Sequence, residues 1–367
     1  MSSPSPRSPK RAHLEDEGPS RAAKHQKLKE NLPDKFKGIK EEKELSSGED
    51  DRYGGRTKIA KLDDTTEDEM TRRVKVANWA GMIKRRRETA GKLSDDRSRM
   101  PAASQRGMPN FTGVLCYRIA LLQALLHLPL LVNWLLDFVL PEHCVSDNSQ
   151  ECFACVLRLL TVEYWKVPGG VRQVSPVFRA MHGVIKRLGW TETGQADPDE
   201  QMLFFFKKMQ TELPSSIYGL IESLFQSFWT QQINCHCGTT SLTHGSEIKH
   251  TLCLSPRIPD GRLDQYIRRV YREAVPYRCE GCHILKTRPK LRLFHLSAAI
   301  LCIQLSRCDE TGRKITYSVN IPDELDFSNV AHEENKDCLK YKLCAVVQHK
   351  GSARGGHYVY IFLKALK

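Results

Sequence analysis

GVLCYRIALLQALLHLP, residues 113–129, is the stretch on which the reading of this chain turns. Cys116 stands just ahead of an almost unbroken apolar run. Residues 117–139 read as an apolar helix broken at Pro129, whose ring clashes with the preceding turn and which has no N–H to give. A thiol at a helix N-terminus faces free backbone N–H groups and the positive end of the dipole, which favours the thiolate. The same N–H groups are natural donors to an oxyanion. Buried thiols are also common in cores, so position alone does not make Cys116 a nucleophile.

A nucleophilic thiol needs a base. HKGSARGGHYVYIF (349–362) offers His357 at the mouth of a strand, behind two glycines that let the loop come close to another segment. His349 competes with it. Cys116 and His357 lie more than 200 residues apart, nucleophile first and base last, which is the papain-like order. Between them, helices are read over 152–165, 175–188, 198–212 and 214–228, with Ile217, Leu220, Ile221, Leu224 and Phe225 at helical spacing. Beyond Gln231 the pattern turns to strands, among them 291–305, 313–321, 341–348 and 357–363. Helices first and sheet second predict an α+β fold with a cleft between two lobes.

Composition divides the chain. Residues 1–107 are rich in Lys, Arg, Glu, Asp, Ser and Pro and read as a disordered charged N-terminal tail; a catalytic domain is expected over 108–367. Lys10-Arg11, the Lys24–Lys29 cluster and Lys84–Arg87 are basic groups of the kind that direct nuclear import or hold phosphate, so nucleus and/or cytoplasm is the expected location. A short helix is read over Glu67–Arg87 and could dock a partner. The net charge of +13 is read as a soluble protein with basic tails, and nucleic acid is not expected as a partner. The apolar stretch 121–140 is interrupted by Gln123, His127, Pro129, Asn133 and Asp137; a buried helix pair is expected there and no membrane.

The chain has 13 cysteines, an odd number, and the N-terminal MSSPSPRSPKRAH carries no apolar h-region. The expected compartment is reducing, where cysteine serves as metal ligand, nucleophile or small hydrophobe. Cys235-x-Cys237 and Cys279-x2-Cys282 make two thiol pairs on two turns, a donor set for one structural zinc; four free thiols without metal is the other reading. His236 and His283 are read as solvent-facing. Cys253, Cys302 and Cys344 are read as core. Cys144, Cys152 and Cys155 fall around a helix start and, lacking a fourth ligand, are read as structural.

Five blocks in order carry a resemblance to the ubiquitin-specific proteases, papain-like cysteine deubiquitinases. The first is Cys116-Tyr117 followed by Leu122-Gln123-Ala124-Leu125, His127, Pro129 and Leu131. QADPDEQML (195–203) is similar to the family's Gln-x-Asp-x-x-Glu segment at Gln195, Asp197 and Glu200. YRCEGC (277–282), then LCIQLSR (301–307) with KITYSVNIPDELD (314–326), resemble the approach to the sheet, and 341–361 resembles the block holding the catalytic histidine. The resemblance implies a papain-like cysteine peptidase fold with helical thumb, β-sheet palm and zinc-ribbon-like fingers. It implies hydrolysis of the bond after the C-terminal glycine of ubiquitin, with Cys116 as nucleophile and His357 as base. Gln195 and Asp197 would face the ubiquitin tail, and Cys235, Cys237, Cys279 and Cys282 would hold zinc at the fingertips. Ubiquitin and ubiquitinated proteins are the implied partners. The pattern is departed from at three places. Phe111 stands where the family has an oxyanion Asn, with Asn110 one step further away; Arg118, Ile119 and Ala120 replace small polar residues; and the late Asp or Asn that would complete the triad has no counterpart before Lys367, so the domain is read as C-terminally incomplete. An impaired hydrolase, or a ubiquitin-binding adaptor that keeps the fold, is the alternative reading.

Overall fold

The computed structural model describes residues 56–58, 67–101, 107–144, 149–166, 171–254, 261–309, 311–332, 339–353 and 355–362. Residue 1 to 55 of the N-terminal stretch, with the first two basic clusters, lies outside the described residues.

Helices come first, as the apolar spacing requires. They are α1 (Glu67–Ala90), α2 (Cys116–Leu126), α3 (Pro129–Asp137), α4 (Phe153–Trp165), α5 (Val171–Arg187), α6 (Pro198–Glu212) and α7 (Ser215–Phe225). Pro129 takes the first-turn position of α3, where its missing N–H costs nothing, and the chain bends by 85° between α2 and α3. No helix among the described residues is long and apolar enough to cross a membrane. α2 and α3 instead bury Leu122, Leu126, Trp134 and Leu135 against Phe153, Leu160 and Tyr164 of α4, Phe178 of α5, Phe205 of α6 and Phe225 of α7. Burying each such side chain stabilises the fold by roughly 1.5–3 kcal/mol. The two indoles are satisfied: Trp134 Nε1 donates to Ile217 O (3.2 Å) and Trp165 Nε1 to Leu126 O (3.1 Å).

The strands are β1 (Arg56–Lys58), β2 (Ser227–Asn234), β3 (Thr240–Glu247), β4 (His250–Cys253), β5 (Arg272–Arg278), β6 (Leu285–Leu296), β7 (Ile303–Ser306), β8 (Glu324–Asp326), β9 (Lys340–Lys342), β10 (Ala345–Ser352) and β11 (Gly355–Phe362), with α8 (Leu263–Tyr271) between β4 and β5. An antiparallel sheet runs in the order β1-β3-β2-β6-β5. Trp229 packs flat under it: the Arg292 guanidinium lies 4.2 Å from its ring centre, and opposite it Gly245 must be glycine, since a Cβ there would stand 2.4 Å from the indole. β4 pairs with β7 in parallel, and β10 with β11 as a terminal hairpin. That hairpin packs on α2 through Tyr360 and Phe362, whose rings lie 5.7 and 4.5 Å from that of His127.

Four sequence readings are corrected. The strand expected over 291–305 is two, β6 and β7, in different sheets; Ser227 Oγ takes the Ala298 N–H (3.1 Å) where the chain leaves β6. The strand expected over 313–321 is reduced to isolated bridges at Lys314 and Asn320. Cys253, expected in the core, points out of the short strand β4 and is exposed. Ordered packing also begins ahead of residue 107. Ile83 of α1 is buried, Trp79 packs edge-on against Phe228 and His295, and Arg86 pairs with Glu222 and donates to Gly219 O (2.6 Å). Hydropathy misses this because two apolar residues and a guanidinium hold an otherwise charged helix.

Candidate active site

α2 starts at Cys116 itself, with Leu115 as its N-cap and no side chain closing the first turn, so the leading N–H groups stay free beside the thiol. Cys116 is 3% exposed. The loop ahead of it turns through Gly113, whose φ of +81° suits glycine. This turn folds Asn110 back: its Oδ1 accepts from Leu115 N–H (3.0 Å), leaving the amide NH2 to donate elsewhere. Phe111 turns the other way, against Phe178 (5.6 Å) and under the Arg179 guanidinium (4.4 Å). Arg118 is buried and committed inward, to His182 Nδ1 (2.6 Å) and the Tyr117 hydroxyl (3.3 Å). Burial, and then the Arg118 charge, holds His182 down to about 4.

Gln195 is the hinge of the site. Its Nε2 lies 3.8 Å from Cys116 Sγ and donates to Gly356 O (2.5 Å), while Gly356 N–H donates back to Gln195 Oε1 (3.1 Å). Gly356 tolerates no side chain: a Cβ would stand 2.1 Å from Lys350 O and 2.6 Å from His349 Nε2. Two residues on, Asp197 caps α6, its Oδ1 accepting from Asp199 N–H (2.9 Å), with Pro198 in the first turn.

The structure therefore brings Cys116, Gln195 and the backbone just before His357 together. It does not bring the His357 ring with them. Tyr360 and Phe362 face α2, and strand alternation puts Tyr358 on that same face and His357, which is exposed and opposite Lys350, on the other. Among the described residues no hydrogen bond joins Cys116 and His357. Tyr358 is the residue that feels the nucleophile: burial, then the charges of Asp197 and Cys116, push its hydroxyl up to about 12. His349 stacks against Tyr358 (4.5 Å) and takes a contact from Lys314 Nζ at Nδ1 (2.7 Å). Burial first, then Lys314, lowers its pKa against the pull of Asp197. Lys314 also donates to Gly351 O (2.7 Å), so it ties the hairpin loop and the His349 ring together. Sequence reading missed Lys314 because nothing in a strand-like segment distinguishes one lysine from another.

A second cluster lies at the far end of the five-stranded sheet. Cys235 and Cys237 follow β2, and Cys279 and Cys282 link β5 to β6. All four sulfurs lie within 4.8 Å of one another, with Cys235–Cys282 at 3.7 Å and Cys237–Cys279 at 3.6 Å. A tetrahedral zinc with Zn–S bonds of about 2.3 Å sets its sulfurs about 3.8 Å apart, so the donor set fits the ion. One N–H···S contact resembles those of metal knuckles, Gly281 N–H to Cys279 Sγ (3.3 Å); Cys237 Sγ lies 3.2 Å from the Thr239 hydroxyl oxygen, and that pair leads the contacts holding the Cys237 thiol down to about 6. His236 and His283 are exposed.

The sequence profile of the family described as "Ubiquitin carboxyl-terminal hydrolase" matches residues 106–366. The chain belongs to the ubiquitin carboxyl-terminal hydrolase family. Curated human (Homo sapiens) relatives include ubiquitin carboxyl-terminal hydrolase 17-like protein 13 and 17-like protein 6, each 29% identical over 282 residues, 73% of this chain. Those residues cover 51% of the first and 68% of the second, so the chain spans about half the length of several curated relatives it matches. Among solved structures, the SAGA Ubp8/Sgf11/Sus1/Sgf73 DUB module bound to ubiquitin aldehyde aligns with a TM-score of 0.61 at 18% identity, covering 79% of this chain and 69% of that one. The same module bound to monoubiquitin aligns at 0.62 and 19%, covering 79% and 68%. The fold of this hydrolase-family chain is thus the α+β papain-like one. Its thumb is the α2–α7 bundle, its fingers are the five-stranded sheet ending in the cysteine quartet, and its palm carries the β10–β11 hairpin.

Proposed function

We propose that this chain is a thiol-dependent deubiquitinase that hydrolyses the bond after the C-terminal glycine of ubiquitin in ubiquitinated proteins. The observation that carries the reading is the link from Cys116 Sγ through Gln195 to Gly356, which sets the residue preceding His357 beside a thiol at a helix N-terminus. The reaction requires the His357 ring, which faces away from Cys116 here, to turn to the nucleophile side of the hairpin. Catalytic hydrogen bonds of this kind often tighten only when substrate is bound.

In the forward step His357 takes the Cys116 proton and the thiolate attacks the glycine carbonyl. The oxyanion forms against the free N–H groups at the start of α2 and the Asn110 amide. As the tetrahedral adduct collapses, His357 returns the proton to the leaving amine and a thioester remains. His357 then deprotonates water, which attacks the thioester; collapse releases the ubiquitin carboxylate and returns the proton to the sulfur. Asp197 and Gln195 line the approach, where a carboxylate suits a tail carrying arginine. The cysteine quartet holds one structural zinc that cross-links the fingertips. The basic clusters at 10–11, 24–29 and 84–87 support a nuclear location alongside the cytoplasm.

The test is a ubiquitin bearing a C-terminal electrophile. The expected result is a covalent adduct at Cys116 that is lost in Cys116→Ser. Tight ubiquitin binding without adduct would instead make the chain a binding adaptor and overturn the hydrolase reading.

A further inference from the structure

The residues that line the approach to Cys116 sit on chain with little structure of its own. Residues 191–197 form no helix or strand, and Gln195 and Asp197 are exposed. Their place is set by what holds the start of α6. Asp197 caps that helix with its Oδ1 committed to Asp199 N–H, so a shift of Asp199 carries Asp197 with it. Asp199 in turn is gripped from the palm: Lys249 Nζ donates to its Oδ2 and to Gln304 Oε1 (2.9 Å). We propose that Lys249 is a positioning residue for the ubiquitin tail. Its pair with Asp199 struts the first turn of α6 against the β4–β7 pair and so fixes Gln195 and Asp197 in front of the thiol. The inference rests on the reading of these two residues as tail-facing, and it adds a third, which touches neither the tail nor the sulfur.

The palm end of the strut is rigid. Lys249 stands in the turn between β3 and β4, directly ahead of the buried His250. His250 N–H donates to Cys302 O (2.8 Å), and its ring meets the hydroxyls of Tyr271 (2.6 Å) and Ser227 (3.2 Å). Tyr271 belongs to the palm core. Gln304 lies opposite Thr251 in the parallel β4–β7 register and accepts from the Thr251 hydroxyl (3.1 Å). The ammonium is thus presented from a fixed frame. An exposed ion pair tethers little, because holding two long side chains in one geometry costs about what the attraction gains. This pair is different. The side chains of Lys249 and Asp199 are only 21% and 14% exposed, so salt screens them less, and the lysine joins an acceptor of the thumb to one of the palm. Without it a largely buried carboxylate would stand uncompensated beside Asp197 and Glu200. The pairing also selects which carboxylates face outward. With Asp199 engaged, the exposed Asp197 and Glu200 are left to meet an arginine.

Ubiquitin binding to the full chain carrying Cys116→Ser tests the strut whether or not the chain hydrolyses. Adding Lys249→Met should weaken binding of whole ubiquitin about ten-fold and leave binding of a ubiquitin without its C-terminal tail unchanged. With Cys116 intact, the same substitution should raise KM by a similar factor and change kcat less than about three-fold. KM does not depend on how much of the enzyme is folded, so a loss of fold would show in the apparent kcat instead. The reversed pair Lys249→Glu/Asp199→Lys should bring binding back to within about three-fold of the starting value, which neither single variant does. Equal losses for whole and tail-less ubiquitin, no loss for either, or no recovery in the reversed pair would overturn the positioning role. A chain that makes no adduct with electrophilic ubiquitin, yet loses tail binding in Lys249→Met, keeps the strut and loses the hydrolase reading alone.

Discussion

Asn110 shows how a single backbone turn changes the meaning of a residue. By count it sits one position too far from Cys116 to match the family's oxyanion amide, and Phe111 occupies the expected place. The Gly113 turn absorbs the extra residue, sends Phe111 into the Phe178 contact and returns the Asn110 carboxamide to the loop at Cys116. With Oδ1 held by Leu115 N–H, only the NH2 remains to face a developing oxyanion. Asn110→Ala should therefore lower kcat by about 10²–10³ with little change in KM, measured on a ubiquitin fluorogenic substrate. A fall in thermal stability with kcat intact would make Asn110 a loop staple only. The nucleophile, Gln195 and the glycine turn were legible as residue types. The outward set of His357 was not, because hairpin register and twist, which decide the face a strand residue occupies, have no signature in the run GGHYVYIF.

At the scale of elements, α2 to α7 were legible because their apolar residues recur at helical spacing and they bury one shared core. α1 was legible as a helix and not as part of the packing. Its contacts are few but specific: Ile83, Trp79 and the Arg86 pair with Glu222. Ile83→Ala should cost about 2 kcal/mol if α1 is integral to the domain, read by denaturation monitored on the Trp signal. An unchanged midpoint would mean that α1 only rests on the surface. The same interface carries a pH dependence. His295 lies under Trp79 and beside His332, His244 and Arg87, and is held down to about 4 by burial first and then by those neighbours; burial also lowers His244. Both folded-state values lie below the ordinary histidine value of about 6.5. The folded form thus favours the neutral rings, and its stability is full above pH ~6.5 and is lost as pH falls toward 4. The melting temperature should drop over that window, and less steeply in His295→Gln. An identical pH profile in the variant would place the acid sensitivity elsewhere. Strand reading failed at 291–305 for a related reason: a continuous apolar run does not say where one sheet ends and the next begins.

At the scale of the whole molecule, three apolar clusters among the described residues divide the labour unequally. The helical lobe holds a large core around Leu122, Trp134 and Phe178, and the palm a second around Trp229, Tyr271 and Phe294. The fingertip has little more than Ile233, Tyr277 and the buried thiols Cys235 and Cys279. Four such side chains bury too little apolar area to order two turns against their backbone entropy, which amounts to about 1–2 kcal/mol per residue. A metal bound by four thiolates contributes on the order of 10 kcal/mol to the folding of a small site, enough to decide the matter locally. Removing the ion proposed for the fingertip, with Cys237→Ser/Cys279→Ser, should therefore melt the tip without disturbing the nucleophile. Amide hydrogen exchange should rise over 233–240 and 277–285 and stay unchanged in α2 to α7. Ubiquitin affinity should fall, because the fingers no longer hold their shape, while alkylation of Cys116 by iodoacetamide keeps its rate. If exchange rose throughout the helical lobe, or if the Cys116 rate changed with the tip, the fingers would be coupled to the thumb through the palm, and the division into independent cores would be wrong.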